Sequence, residues 1–276
     1  VRAASLLDIA LWDIAARRQG VPVSKLFADE DRDIPLMAVA GYFLDQRGGS
    51  AILDEVSEFV ESGYQAIKLI VPGHDLAADL RLVEDVTARL PDSVALGIDF
   101  HGAFTSVDEA VNYCSAFESF RLRFIEDLFP SYEIGAVSAA AARVHSPIAA
   151  GEDVMTASVY DLLVAGGVRY LRADVTASGG YTDVLPAAGR AGSAGAHVAP
   201  HVWPHMHYPL AMSHPGVTAI ELIPHSTGAD PIDELLAEPF PVRAGKWVSP
   251  PTPGLYLPLD WSAVARTATA SFSTSR

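Results

Sequence analysis

Seven side chains able to carry charge or move a proton recur along the chain at intervals of 20 to 31 residues: Lys68, Asp99, Glu126, Glu152, Asp174, His201 and Glu221. Each lies within or just after an apolar run such as "QAIKLIV", "VALGID" or "RLRFIED". Three in succession, Asp99, Glu126 and Glu152, are carboxylates. Converging without a counter-charge, they would repel one another and raise their own pKa values. An oxygen-seeking divalent cation removes that cost. Mg²⁺ suits, because it keeps positions open for waters and substrate oxygens, and Mn²⁺ is a plausible substitute. Asp174 and His201 come next. A carboxylate beside an imidazole fixes its tautomer and stabilises its protonated form, which makes a histidine a usable base near neutral pH. The bland reading of His201 is a satisfied structural histidine. His101 stands two positions after Asp99. If "VALGIDF" is a strand, period two sends both side chains to one face; taken alone, the pair also reads as a polar turn after a buried strand.

These residues need a scaffold that presents them at one end. Apolar runs alternate with helical patterns eight times. Strands are predicted over 34–42, 65–71, 94–99, 121–127, 146–152, 169–174, 196–201 and 217–222, with helices between them. Eight β-then-α units point to a parallel sheet and match the count that closes a (β/α)₈ TIM-like barrel, an α/β fold. A doubly wound open sheet is the competing architecture. It usually shows a glycine-rich dinucleotide turn after the first strand, and Tyr42 to Gly49 has no G-x-G-x-x-G. In the barrel, catalytic groups sit at the carboxyl-terminal ends of the strands, which is where the seven residues fall. The expected organisation is a helix leading into the barrel over 1–30, the barrel over 31–228, an irregular closing segment over 229–262 and a disordered tail over 263–276. The opening helix shows an apolar stripe of Leu7, Ala10, Leu11 and Ile14.

Composition narrows the function. With 34 acidic against 19 basic residues and a net charge of −15, nucleic acid is not an expected partner, because its phosphates would be repelled. No apolar run reaches transmembrane length and no signal segment opens the chain, so no membrane partner is expected. Cys114 is the only cysteine, which excludes an internal disulfide and makes a reducing cytoplasm the expected compartment. The first residue is Val1 rather than Met, as expected of a chain that begins inside a longer protein.

The ordered set "AASLLDIALWDIAARRQGVPVSKLF", "GYQAIK", "GIDFHG", "FIEDLFP", "AGEDV", "RADVTASGGYTD", "HVAPHVWPHMH" and "IEL" resembles the mandelate racemase/muconate-lactonizing group of the enolase superfamily over almost the whole chain. The resemblance implies Mg²⁺ ligands at Asp99, Glu126 and Glu152, an Asp174–His201 dyad, and a Glu221 that hydrogen-bonds the substrate carboxylate. It implies loss of a proton beside a carboxylate through an ene-diolate, as enolase-superfamily sites are known to do, with a small carboxylate as substrate and a homo-oligomer as the assembly. That group carries an N-terminal capping domain over the barrel mouth, and the chain is expected to lack it.

Departures from the group's pattern refine the expectation. Where many relatives have Lys-x-Lys on strand two, this chain has Lys68-Leu69-Ile70, and Ile70 cannot accept a proton. Two-base racemisation is thereby disfavoured. Lys68 either helps bind an anionic substrate or pairs with a ligand carboxylate. "RADVTASGG" has Ala177 and no lysine, which disfavours the muconate-lactonizing and succinylbenzoate-synthase types. "DFHG" resembles the galactonate and mannonate dehydratase types, in which that histidine is an acid/base group; His101 and His201 would then divide removal of the α-proton from protonation of the leaving β-hydroxyl. The expected activity is Mg²⁺-dependent dehydration of a sugar acid to a 2-keto-3-deoxy acid. A racemase or epimerase, a metal-dependent amidohydrolase and a non-catalytic barrel are the rivals. Among the remaining histidines, His207 reads as structural and His205 as a possible substrate contact. Pro200 and Pro204 are expected to break any helix there. Asp127 and Asp153, each following a ligand, are expected to turn away from the metal.

Overall fold

The computed structural model describes residues 2–270. Its eight parallel strands are β1 (Ile34–Ala40), β2 (Ala66–Ile70), β3 (Ala95–Asp99), β4 (Leu122–Glu126), β5 (Ile148–Ala150), β6 (Tyr170–Leu171), β7 (His197–Val198) and β8 (Ile220–Leu222). Each pairs with the next from β1 to β7, and β8 pairs with β1 in the register Leu36 to Ile220. A parallel bridge between Val198 and Val217, with the Glu221 N–H donating to the Pro200 carbonyl at 3.2 Å, links β7 to β8. The sheet is therefore a closed (β/α)₈ barrel. Both faces of its strands are covered, which is why they read as near-continuous apolar runs.

Seven helices follow strands: α2 (Leu44–Glu61), α3 (Leu76–Thr87), α4 (Val107–Ser115), α5 (Ile134–Ala141), α6 (Ser158–Ala165), α7 (Gly180–Ser193) and α8 (Pro204–Ser213). Asp75 caps α3 by accepting from the Ala78 N–H, and Ser106 caps α4 by accepting from Glu109 N–H. The prolines near residue 204 do not prevent a helix. Pro204 occupies the first turn of α8, where its missing N–H costs no hydrogen bond.

Two further expectations are corrected. The opening helix α1 (Arg2–Gln19) leaves Leu7 67%, Leu11 66% and Ile14 46% exposed, and buries Ser5, Ile9 and Ala16 instead. It docks through polar groups. The Gly179 N–H donates to Ser5 Oγ at 2.9 Å, Thr182 donates to Asp8, and Trp12 Nε1 donates to Thr182 Oγ1 at 3.0 Å. Within the segment expected to be irregular, β9 (Val242–Arg243) and β10 (Lys246–Trp247) form a hairpin, and β10 runs antiparallel to the start of β1. Ala244 at φ 48° and Gly245 at φ 67° make its tight turn. Part of the expected tail is helical: α9 (Trp261–Thr267) is capped by Asp260 and buries Ala263. Residues 271–276 of that tail lie outside the described residues.

Inside the barrel, side chains stack in layers drawn from alternate strands. Ala66, Phe124 and Ala219, from β2, β4 and the approach to β8, pack together with Tyr170 of β6 against them. Gly97 makes room for Phe124, since a Cβ there would meet the ring at 2.6 Å. Two residues further along the same four strands lie Lys68, Glu126, Arg172 and Glu221, all buried.

Candidate active site

Those four side chains form a ring of alternating charge. Lys68 Nζ lies 3.4 Å from Glu126 Oε1 and 3.2 Å from Glu221 Oε1. Arg172 Nε donates to Glu126 Oε1 at 2.7 Å, and its Nη2 meets Glu221 Oε2. Lys68 also reaches Asp99 Oδ2 at 2.8 Å. Burial disfavours charge on Lys68, but the carboxylates around it win and raise its pKa. Burial likewise raises Asp99, yet Lys68 and His101 together outweigh it and hold the carboxyl at about 2. Arg172 was not anticipated. Period two would have found it, because it stands two positions after Tyr170 of β6, one residue beyond the end of that strand.

Above the ring, an oxygen of each of Glu126, Asp127 and Glu152 lies within 4.8 Å of the others. Asp127 does not turn away as strand alternation predicts. β4 ends at Glu126, and Asp127 adopts φ 44°, so it no longer follows the pleat. Asp99 is not a member of that trio; it stands beside it, committed to Lys68. Burial pushes Glu126 up to about 7 against the pull of Arg172 and Lys68. Burial first, and then repulsion from Glu152 and Glu126, raises Asp127 well above the usual carboxylate range. Glu126 Oε2 and Glu152 Oε2 are buried without a hydrogen-bond partner among the described residues. An oxygen-only set with unused lone pairs and mutual repulsion fits a hard divalent cation.

The dyad forms. His201 Nδ1 lies 3.0 Å from Asp174 Oδ2, and His201 Nε2 lies 3.5 Å from Glu152 Oε2. Asp174 is held tightly: Oδ1 accepts from Thr176 N–H at 2.6 Å and from Thr176 Oγ1 at 2.7 Å, and its own N–H donates to the Tyr160 hydroxyl. Burial raises the Asp174 carboxyl, but the hydrogen bonds, led by that of His201, hold it well below the usual range. Burial lowers His201, partly offset by Asp174, which favours the uncharged imidazole, the form able to accept a proton. His207 is fixed by backbone contacts. Its Nδ1 faces the Val202 carbonyl at 2.7 Å as donor, while Nε2 accepts from the Val175 N–H at 3.0 Å.

His101 reaches Asp99 by a different route from strand alternation. β3 stops at Asp99, His101 sits at φ 49°, and the Asp99 Oδ1 accepts the His101 N–H at 2.9 Å. Its imidazole Nδ1 is 3.7 Å from Asp99 Oδ1, and the side chain is half exposed. His205 is buried and stacked on Phe240 at 4.6 Å between ring centroids.

The enolase C-terminal domain-like family matches residues 51–263. The chain belongs to that family. It is 29% identical to the L-talarate/galactarate dehydratase of Salmonella typhimurium over 90% of this chain, and spans 61% of that relative's length. A racemase from Streptomyces coelicolor solved with bound magnesium superposes with a TM-score of 0.86 at 27% identity, covering 96% of this chain and 71% of the other. The L-talarate dehydratase of Polaromonas sp. JS666, complexed with Mg and L-glucarate, gives 0.84 at 29% identity over 96% and 72%. Enolase-family enzymes of this kind are thus its neighbours in sequence and structure, and they include both dehydratases and racemases. Among the described residues no helix is long and apolar enough to cross a membrane.

Proposed function

We propose that this barrel dehydrates a sugar acid, an aldonate or aldarate, to a 2-keto-3-deoxy acid with the help of Mg²⁺. The observation that carries the reading is His201, braced by Asp174 at 3.0 Å, beside a carboxylate cluster with oxygens that have no hydrogen-bond partner among the described residues. Glu126 and Glu152 would hold the cation, with Asp99 and Asp127 bordering it as the candidate third ligand. When bound, Mg²⁺ supplies positive charge where a substrate carboxylate gains negative charge as its α-proton leaves.

The chain's own groups do the rest. His201 Nε2 takes the α-proton, and the Nδ1 hydrogen bond to Asp174 stabilises the imidazolium that results. His101 gives a proton to the β-hydroxyl as its C–O bond breaks and water leaves; the enol left behind tautomerises to the ketone. The two histidines exchange roles if the substrate binds the other way round. Glu221 accepts from the substrate's hydroxyls, and Lys68 holds Asp99 and Glu221 in place. Support comes from relatives named as talarate, galactarate and galactonate dehydratases. A second reading, epimerisation of a 2-hydroxy acid, is favoured by the likeness to the Streptomyces racemase.

Incubation of the protein with Mg²⁺ and a panel of aldonic and aldaric acids in D₂O separates them. Dehydration gives an α-keto product. Epimerisation gives deuterium at the α-carbon with none. No exchange and no product with any acid would leave a barrel without this chemistry.

A further inference from the structure

The four-membered charge ring places a residue, Arg172, that the reaction does not need as acid, base or ligand. Arg172 is fully buried, and its three guanidinium nitrogens reach three partners: Nε to Glu126 Oε1 at 2.7 Å, Nη1 to the Ala199 carbonyl at 2.9 Å and Nη2 to Glu221 Oε2. It thereby ties β4, β7 and β8 to β6. Its guanidinium carbon also lies 5.9 Å from the centroid of the Phe124 ring, the floor on which it rests. Glu126 is consequently split into two unlike oxygens. Oε1 is occupied by Arg172 and Lys68, whereas Oε2 has no hydrogen-bond partner among the described residues and belongs to the carboxylate that joins Asp127 and Glu152. A planar fork imposes such a split better than a single ammonium, because its donors are fixed relative to one another.

We infer that Arg172 is a positioning residue: it locks the Glu126 carboxylate so that one oxygen is spent on the barrel and the other faces the cation site, and it anchors Glu221 in the same motion. This rests on the functional reading above, in which Glu126 holds a divalent cation. Partners that orient metal ligands typically change cation affinity by about 10–100-fold when removed. A residue serving only the core would change the stability of the protein and leave the affinity of its folded form untouched.

The test uses Mn²⁺ as probe, titrated into the purified protein and followed by the free-ion electron paramagnetic resonance signal, with thermal unfolding measured alongside. Arg172→Gln leaves Glu126 and Glu221 facing each other with less compensating charge and endangers folding, so Arg172→Lys, which keeps a buried cation without the fork, is measured beside it. The expected result is a folded Arg172→Lys protein whose Mn²⁺ dissociation constant is about 10-fold higher or more, with Arg172→Gln at least as weak. A folded variant of either kind that binds Mn²⁺ within about twofold of the parent overturns the proposal, since the ligand then needs no fork to orient it. An Arg172→Lys protein that fails to fold assigns Arg172 to the core alone and overturns it equally. If the parent protein itself binds no Mn²⁺, the functional reading fails first, which separates the two failures.

Discussion

Replacing Asp174 by asparagine should disable proton abstraction by reversing the tautomer of His201, with little change in shape. The argument is geometric. Asp174 Oδ1 accepts from the Thr176 N–H at 2.6 Å, and a backbone N–H can only donate. An asparagine here must therefore keep its carbonyl oxygen at the Oδ1 position. Its NH₂ is then left where Oδ2 stood, 3.0 Å from His201 Nδ1. That nitrogen becomes an acceptor, so the neutral ring carries its hydrogen on Nε2, the atom that must take the α-proton. The corresponding exchange in the serine-protease triad costs about 10⁴ in kcat for the same reason. Here about 10³–10⁴ is expected, or about 4–5 kcal/mol of transition-state stabilisation. The assay is single-turnover formation of α-keto acid together with α-deuterium exchange, on a protein whose melting temperature and Mn²⁺ affinity are checked. A folded, metal-competent Asp174→Asn protein keeping more than about a tenth of the parent rate would refute the tautomer argument.

Other perturbations separate the remaining roles. His101→Asn should abolish dehydration yet preserve α-proton exchange in D₂O if His201 is the base; loss of exchange together with dehydration would invert the assignment. Glu152→Gln should weaken Mn²⁺ binding by about 100-fold or more, at or beyond the upper end of what outer-sphere changes produce, and parallel titrations of Asp99→Asn and Asp127→Asn identify the third ligand as whichever loses more. Burial holds the His205 imidazole down at about 3, so its folded pKa lies below its unfolded one. The unfolded chain therefore binds the extra proton, and stability present above about pH 6.5 declines as pH falls toward 3. From about pH 7.5 to about pH 4.5 this site alone removes about 3 kcal/mol, and a denaturant titration should show His205→Phe losing that much less than the parent. On α1, Leu11→Lys should change stability by no more than about 0.5 kcal/mol, whereas Ile9→Ala should cost about 2–4 kcal/mol; equal costs would mean that the exposed stripe is packed after all.

How much of the fold was legible depends on where hydrophobicity decides placement. The eight strands were readable because both faces of each are covered, so each appears as an uninterrupted apolar run. Closure followed from their number. The opening helix misled for the opposite reason. Its docking positions Ser5, Asp8, Ile9, Trp12 and Ala16, of which Ser5, Ile9 and Ala16 are buried, keep helical spacing, but polar groups fill several of them to meet the start of α7, and the stronger apolar stripe is left outside. Hydrophobic periodicity cannot see a face that docks by hydrogen bonds. The hairpin of β9 and β10 was equally hidden, since two-residue strands carry no period and only the Ala244–Gly245 turn marks them.

The site was legible as far as the pleat reaches, and no further. Lys68, Glu126 and Glu221 lie on strands whose alternation puts them in the barrel, and the ring they form includes Arg172 by the same rule, so its omission was a failure to carry period two one step on from Tyr170. Past the last strand residue, alternation no longer governs every side chain, although it still serves for Arg172, one residue beyond β6. Asp127 and His101 both turn into left-handed backbone one or two residues beyond their strands; Asp127 thereby carries its side chain to a place the pleat would not assign, whereas His101 comes back beside Asp99 by its turn. For Asp127 that makes a three-oxygen cluster with Glu126 and Glu152 and leaves Asp99 to Lys68. A barrel therefore divides its mouth into two regimes. In the strand-borne ring, charge is balanced pair by pair and every member is buried. In the rim above it, where Asp127 and Glu152 lie beyond their strands and meet Glu126 of the ring, carboxylates outnumber their counter-charges and burial raises Glu126 and Asp127. Excess negative charge is stable only where something positive arrives to meet it, and the unpartnered oxygens of Glu126 and Glu152 mark where on this barrel that would be.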